Sequence, residues 1–179
     1  MGTIHPPTPV LIVLAAFSRH AVALDWAQDC AAQTWGPIAL ASERFDFRET
    51  DYYRPSMGAD LKKVFWAFER LGDPATLPAM KHLTGRWEQE YVGQSPHDES
   101  RPLNLDPGYI TEAKLVLAST KDHAHRIYMA DGIYAEVTLH FEHRQWRALD
   151  WTFPDYRRED YQAFFTECRD YLRRRRRGR

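Results

Sequence analysis

V-L-I-V-L-A-A-F, residues 10–17, is an unbroken apolar run that is too short to span a membrane. A run of this length and composition reads as a central β-strand covered on both faces. Pro6, Pro7 and Pro9 ahead of it mark an extended lead-in that cannot join a regular ladder. Behind it, Leu24, Ala27, Ala31 and Trp35 recur at three- and four-residue intervals, which predicts a helix over 21–35 that Gly36-Pro37 stops.

Working outward, residues 38–47 read as a second strand, with Phe45 and Phe47 on one side and Asp46 on the other. Residues 50–58, T-D-Y-Y-R-P-S-M-G, form a loop dense in hydrogen-bonding side chains, a candidate pocket wall in which Asp51 and Tyr52 are candidate ligand contacts. Residues 61–68 read as a third strand, with a helix as the alternative for so short an aromatic run. Leu77, Met80, Leu83, Trp87 and Tyr91 follow helical spacing.

Residues 103–105 then look like a short strand running into a turn at Asp106-Pro107-Gly108, where proline suits the second turn position and glycine tolerates a positive φ. That turn would carry Asp106 either as a local cap or, with Tyr109, toward a ligand. Residues 111–119 fit either helix or strand. The order strand, helix, strand, strand, helix, strand resembles the ferredoxin-like split βαβ arrangement. The expectation is one α+β domain over residues 1–172 with a mixed or antiparallel sheet, extended by a C-terminal hairpin and a last helix over 160–172.

The hairpin is signalled by Asp131-Gly132, since both residues accept left-handed geometry. An uninterrupted ladder around this turn would set Ala130 against Ile133, Tyr128 against Ala135, Arg126 against Val137 and Ala124 against Leu139. The opposite face would pair His125 with Thr138, Ile127 with Glu136 and His123 with His140. Alternation would keep Ile133, Ala135, Val137, Leu139 and Phe141 apart from Tyr134, Glu136, Thr138 and His140.

This face gathers the candidate chemistry. His125 and Glu136 form a candidate acid–base or orienting pair, because imidazole titrates near neutral pH and a carboxylate fixes its proton. Asp122 would orient an imidazole or recruit a divalent ion. Lys121, Arg126 and Lys114 are candidate contacts for an anionic ligand, with Arg126 reaching a buried carboxylate or the rim. His123, His125, His140 and Glu136 together supply donors for a divalent metal. Thr120-Lys121-Asp122 lacks the residue that separates Lys from Asp in guanine-recognition elements, and no glycine-rich phosphate loop occurs, which argues against a GTPase.

The totals constrain the rest. Among 179 residues, 44% are apolar and 27% charged, which suits a single folded core. The net charge of −1 hides a division: residues 169–179 carry seven arginines against Asp170, a local +6, leaving −7 for the remainder. The acidic body argues against a general nucleic-acid-binding surface, so nucleic acid would engage only the basic tail, residues 173–179, expected to be frayed. Cys30 and Cys168, each in an expected helix, support free thiols rather than a disulfide frame. With no basic segment ahead of the first apolar run, the chain reads as cytoplasmic.

Residues 47–53, L-D-P-G-Y at 105–109, residues 114–122, H-R-I-Y at 125–128, residues 132–139 and residues 151–157 resemble a bacterial and archaeal family of domains of unknown function, the one numbered 4416. The likeness runs from the first strand to the last helix. It implies a shared fold. It also implies an aromatic residue in place of His123 and no regular histidine in place of His140, which shifts weight from a three-histidine metal site to His125, Arg126 and Glu136 with Lys121 and Asp122. The functional expectation is a small-molecule-binding protein, acting on a phosphorylated or otherwise anionic substrate if it is an enzyme. The competing reading is a non-enzymatic metabolite sensor or protein adaptor, and the third is an RNA-associated protein that uses the arginine-rich tail and exposed aromatics.

Overall fold

The computed structural model describes residues 2–178. β1 (Val10–Ser18) is buried at every position, as the apolar run predicts. α1 (Ala21–Trp35) follows, burying Ala23, Leu24, Ala27 and Ala31. The expected second strand is two short ones, β2 (Ile38–Ala41) and β3 (Phe45–Asp46), and the loop after it contains one turn of helix, α2 (Arg54–Met57). β4 (Lys62–Gly72) is a strand, and α3 (Leu77–Gln94) buries Leu77, Met80, Trp87 and Tyr91. β5 (Asn104–Ile110), β6 (Lys114–Ser119), β7 (Ile127–Ala130), β8 (Ile133–Glu142) and β9 (Gln145–Ala148) precede α4 (Glu159–Arg177).

The nine strands form one sheet in the order β2-β4-β1-β5-β6-β8-β7, with β3 beside β4 and β9 beside β8. Every pairing is antiparallel. Because side chains alternate along a strand, β1 feeds two cores. Leu11, Val13 and Ala15 pack with Phe65, Leu117 and the α4 residues Tyr161, Phe165, Cys168 and Leu172. Ile12, Leu14 and Ala16 pack with Trp66, Phe68, α1 and α3. The result is an α+β domain of three layers.

Asp106-Pro107-Gly108 corrects the expected turn, since all three residues lie inside β5. Two strands must flank the doubly buried β1, and that tertiary demand overrides the turn composition. Pro107 faces Leu14 in the β1 ladder, whereas the β6 ladder begins only at Gly108. A residue without an N–H is tolerated where the second ladder stops. Gly108 is needed for close approach and not for a positive φ: a Cβ there would sit 2.3 Å from the Val116 carbonyl oxygen.

Asp131 and Gly132 have φ of 52° and 74°, so the hairpin turn stands where expected. The register beyond it does not. Ala130 faces Ile133, but Tyr128 faces Tyr134 and Ile127 faces Ala135, with Met129 bulged out. β7 has only four residues, so Ala124, His123, His125 and Arg126 precede the ladder and the pairs expected for them do not form. Thr138 is a second bulge, between the Val137–Val116 and Leu139–Leu115 pairs. An extra residue inverts the alternation beyond it. Ile133 therefore packs with Leu77, Val116 and Ala118, with Ala135 and Val137 against them, while Leu139 joins the α4 core.

The basic C-terminal segment also differs from its expectation. α4 continues to Arg177, and Arg176 reaches both Glu112 and the Pro9 carbonyl while Arg173 pairs with Glu112. Arg179, counted in that segment, lies outside the described residues. Cys30 and Cys168 are free. No described helix is long and apolar enough to cross a membrane. Replacing Gly108 with alanine is expected to lower stability by about 1–3 kcal/mol through overpacking against β6, read as a fall in the urea midpoint.

Candidate functional site

β5 and β6 pair over Gly108–Leu117 to Ile110–Leu115 and then part. Beyond that point Asn104 to Pro107 stay with β1, while Ala118 and Ser119 follow β8. The wedge between them opens a cavity of about 460 Å³, within the range of small-molecule sites. Phe17, Phe47, Tyr53 and Tyr156 supply its aromatic walls. Lys63, Lys81, Arg101, Lys121 and Arg126 line it together with Glu49, Asp106, Glu136 and Asp155.

Most of these charges are spoken for. Lys63 Nζ donates to Asp155 Oδ2 at 2.5 Å, and both side chains are almost wholly buried. The same ammonium stands 4.3 Å from the centre of the Tyr156 ring and near the rings of Phe17, Phe47 and Phe65. Lys81 reaches over from α3 to the Leu105 carbonyl and, at 2.8 Å, to Asp106, which also accepts from the Asn104 amide. Burial works to raise the Asp106 carboxyl, but Lys81 first and then Lys63 and Asn104 bring it below the ordinary aspartate value. Arg101 pairs with Glu88.

Glu136 is the hub of the β8 wall. Its Oε2 accepts from Arg126 Nε at 2.7 Å and lies 3.2 Å from His125 Nε2, and its Oε1 accepts from the Thr138 hydroxyl. Arg126 also donates to Ser119 Oγ and to the Lys121 carbonyl, pinning the loop between β6 and β7. Of the two placements weighed for this arginine, the buried carboxylate is the one observed. The His125 ring lies nearly parallel to that of Trp151, 5.2 Å away, and to that of His123, 5.9 Å away. It does not line the cavity, whereas His123 does.

Lys121 differs from the other lining cations. Its ammonium donates to the Tyr52 hydroxyl at 3.1 Å and stands 4.9 Å from that ring, and no carboxylate forms a salt bridge with it among the described residues. The hydrogen bond, then the charge of Lys121, lowers the Tyr52 phenol. The 50–58 loop thus does form a wall, through Tyr52 and Tyr53.

Other expected residues fall elsewhere. Asp51 is exposed beside Arg54 and does not line the cavity. Tyr109, three residues from Asp106, packs on the opposite face of β5 with the α3 side of the core. Lys114 stands at the far end of β6, level with His140, which faces Arg147 on its other side and lies 3.7 Å from Glu142. Asp122 sits beside Tyr134, whose phenol is raised by burial first and by Asp122 next. His123 and His140 are not opposed. No group of three or more His, Cys, Asp or Glu side chains suited to a metal ion occurs among the described residues.

Lys63, Lys81, Arg101, Glu49 and Asp155 also line the cavity and were not among the residues singled out from sequence. Lys63 carried one signal, a charge set directly against the apolar run V-F-W-A-F at 64–68. Tyr156 has a buried hydroxyl without a hydrogen-bond partner. Burial, then the charges of Asp155 and Asp106, pushes its phenol well above the ordinary range, so it remains a donor.

Residues 8–171 match the family described as Domain of unknown function (DUF4416), and the chain belongs to that family. No curated protein and no solved structure matches it.

Arg126→Met leaves the buried Glu136 without its main counter-charge and is expected to cost about 3–5 kcal/mol, measured by denaturant unfolding. Replacing both residues with methionine should recover most of that loss, while Lys121→Ala at the rim should change stability by less than about 0.5 kcal/mol. The loop bearing Arg101 gives a pH test. A hydrogen bond from His20, a backbone amide and Arg19 hold the Glu99 carboxyl down at about 2 from its ordinary 4.5. A lowered carboxyl stabilises the fold fully above 4.5, and that contribution fades as pH falls toward 2. The stability gap between the native chain and Glu99→Gln should narrow across that window and stay level above it.

Proposed function

Within that family, we propose that the cavity between β5 and β6 binds a small anionic molecule, phosphorylated or carboxylated. The observation that carries this reading is Lys121. The interior cations are neutralised by carboxylates, and Lys121 at the mouth is held by a phenol alone. An incoming anion would meet Lys121 first, with Arg126 behind it fixed by Glu136 and aromatic walls to exclude water. Glu136 and His125 act here by holding Arg126 and the loop in place.

A sensor or adaptor remains the second reading, and one feature favours it. Ile127, Tyr128 and Met129 on the edge strand β7 are exposed, directly after the loop that Arg126 pins. Ligand-dependent order in that loop would be felt at this edge. For the fold, the order β2-β4-β1-β5 with two helices on one face supports a ferredoxin-like unit extended by β6 to β9 and α4.

The test is equilibrium binding of a panel of phosphorylated and carboxylated metabolites. At least one should bind, and Lys121→Ala should weaken it about tenfold, the effect of about 1.4 kcal/mol. Lys114→Ala, at the far end of β6, should leave the affinity unchanged. Binding that is indifferent to Lys121, or an empty panel, overturns the reading.

A further inference from the structure

At the floor of the cavity lies an arrangement that anion binding does not require. Lys63 is a buried amine, 3% exposed, yet it lines the cavity. Its partner Asp155 is equally buried and also lines the cavity. Tyr156, whose ring is against the amine, lines it too and has a protonated hydroxyl with nothing to donate to. A buried Lys–Asp pair stabilises a fold no better than apolar residues of the same volume, so stability gives no reason for a charge amid these rings. An amine, a carboxylate in hydrogen-bonding contact with it and an idle phenol are the three groups that imine formation uses.

We infer that Lys63 is a nucleophile that forms an imine with the carbonyl carbon of a small anionic aldehyde or ketone, with Asp155 carrying the proton and Tyr156 hydrogen-bonding the carbonyl oxygen. This rests on the cavity being the anion-binding site proposed above. The Lys63 ammonium gives one proton to the Asp155 carboxylate. The freed nitrogen lone pair bonds to the carbonyl carbon, and the π electrons of the carbonyl move to oxygen. One proton passes from that nitrogen to the oxygen, giving a carbinolamine. The remaining nitrogen lone pair then expels the hydroxyl, which takes the proton from Asp155 and leaves as water. The iminium cation stays paired with the Asp155 carboxylate, so the cavity floor has the same charge before and after. Lys121 at the mouth would hold the anionic end of the substrate, which orients the carbonyl toward the floor.

Lys62, next in sequence, is the internal control, since it is exposed and pairs with Asp46 on the surface. The experiment incubates the full chain with pyruvate or with dihydroxyacetone phosphate in the presence of cyanoborohydride, which reduces an iminium to a stable amine. Intact-mass and peptide-fragment analysis then locate the adduct. The expected result is one adduct per chain, on Lys63 and not on Lys62, whose yield falls at least tenfold in Lys121→Ala and in Tyr156→Phe. Lys63→Arg, which keeps the charge but cannot form an imine, should give no adduct at residue 63. Adducts spread over surface lysines, or none with either probe, overturn the inference. If trapping fails while Lys121-dependent binding persists, the imine is wrong and the anion site stands. If binding also ignores Lys121, both are wrong. Fragment mapping on the unaltered chain decides the matter even where Lys63→Arg does not fold.

Discussion

The separation of β5 from β6 governs this molecule. A sheet with a doubly buried central strand would ordinarily close over its whole length, because each unmade ladder bond exposes backbone polar groups. Here Pro107 has no N–H to offer β6, and Gly108 beside it lets the β6 backbone come too near for any side chain. One residue ends the pairing and the next makes the remaining three pairs close. The strands diverge from that point, and the cavity fills the wedge. Lys81 can reach Asp106 from the opposite helical layer because the sheet is open there.

A wedge cut into a sheet leaves polar groups to satisfy, and the second half of the chain supplies them. Neither β7 nor β9 covers β8 at Val137 and Thr138, whose carbonyls accept instead from the Trp151 indole and the Thr152 hydroxyl. Trp151 in turn stacks on His125, which meets Glu136. The Thr138 bulge therefore links the outer edge of the sheet to the cavity wall. Asp155, three residues beyond Thr152, is carried to Lys63 by the same crossover.

Local signals in the sequence are honoured where one strand or helix decides the outcome. The apolar run of β1, the helical spacing of α1, α3 and α4, and the Asp131-Gly132 turn all form as read. Signals fail where a neighbour decides. Asp106-Pro107-Gly108 has turn composition, but β1 requires a strand there. The hairpin register follows from the turn only until Met129 bulges, and a bulge has no fixed residue signature in a single sequence. The pairing of His125 and Arg126 with Glu136 was legible as chemistry, since all three lie within a dozen residues. Lys63 and Asp155 are 92 residues apart, so their meeting was not.

Electrostatics separates the floor of the cavity from its mouth. At the floor, a carboxylate placed against an ammonium in low dielectric is strongly held, but both groups have lost their hydration and the net gain is small. At the mouth, the exposed Lys121 would give up little by exchanging its phenol partner for an anion. A ligand of the proposed kind would therefore be selected by charge at the mouth and would meet already compensated groups below. That order suits a chemistry in which the floor passes protons internally without changing its total charge, because no uncompensated charge has to be created inside the fold.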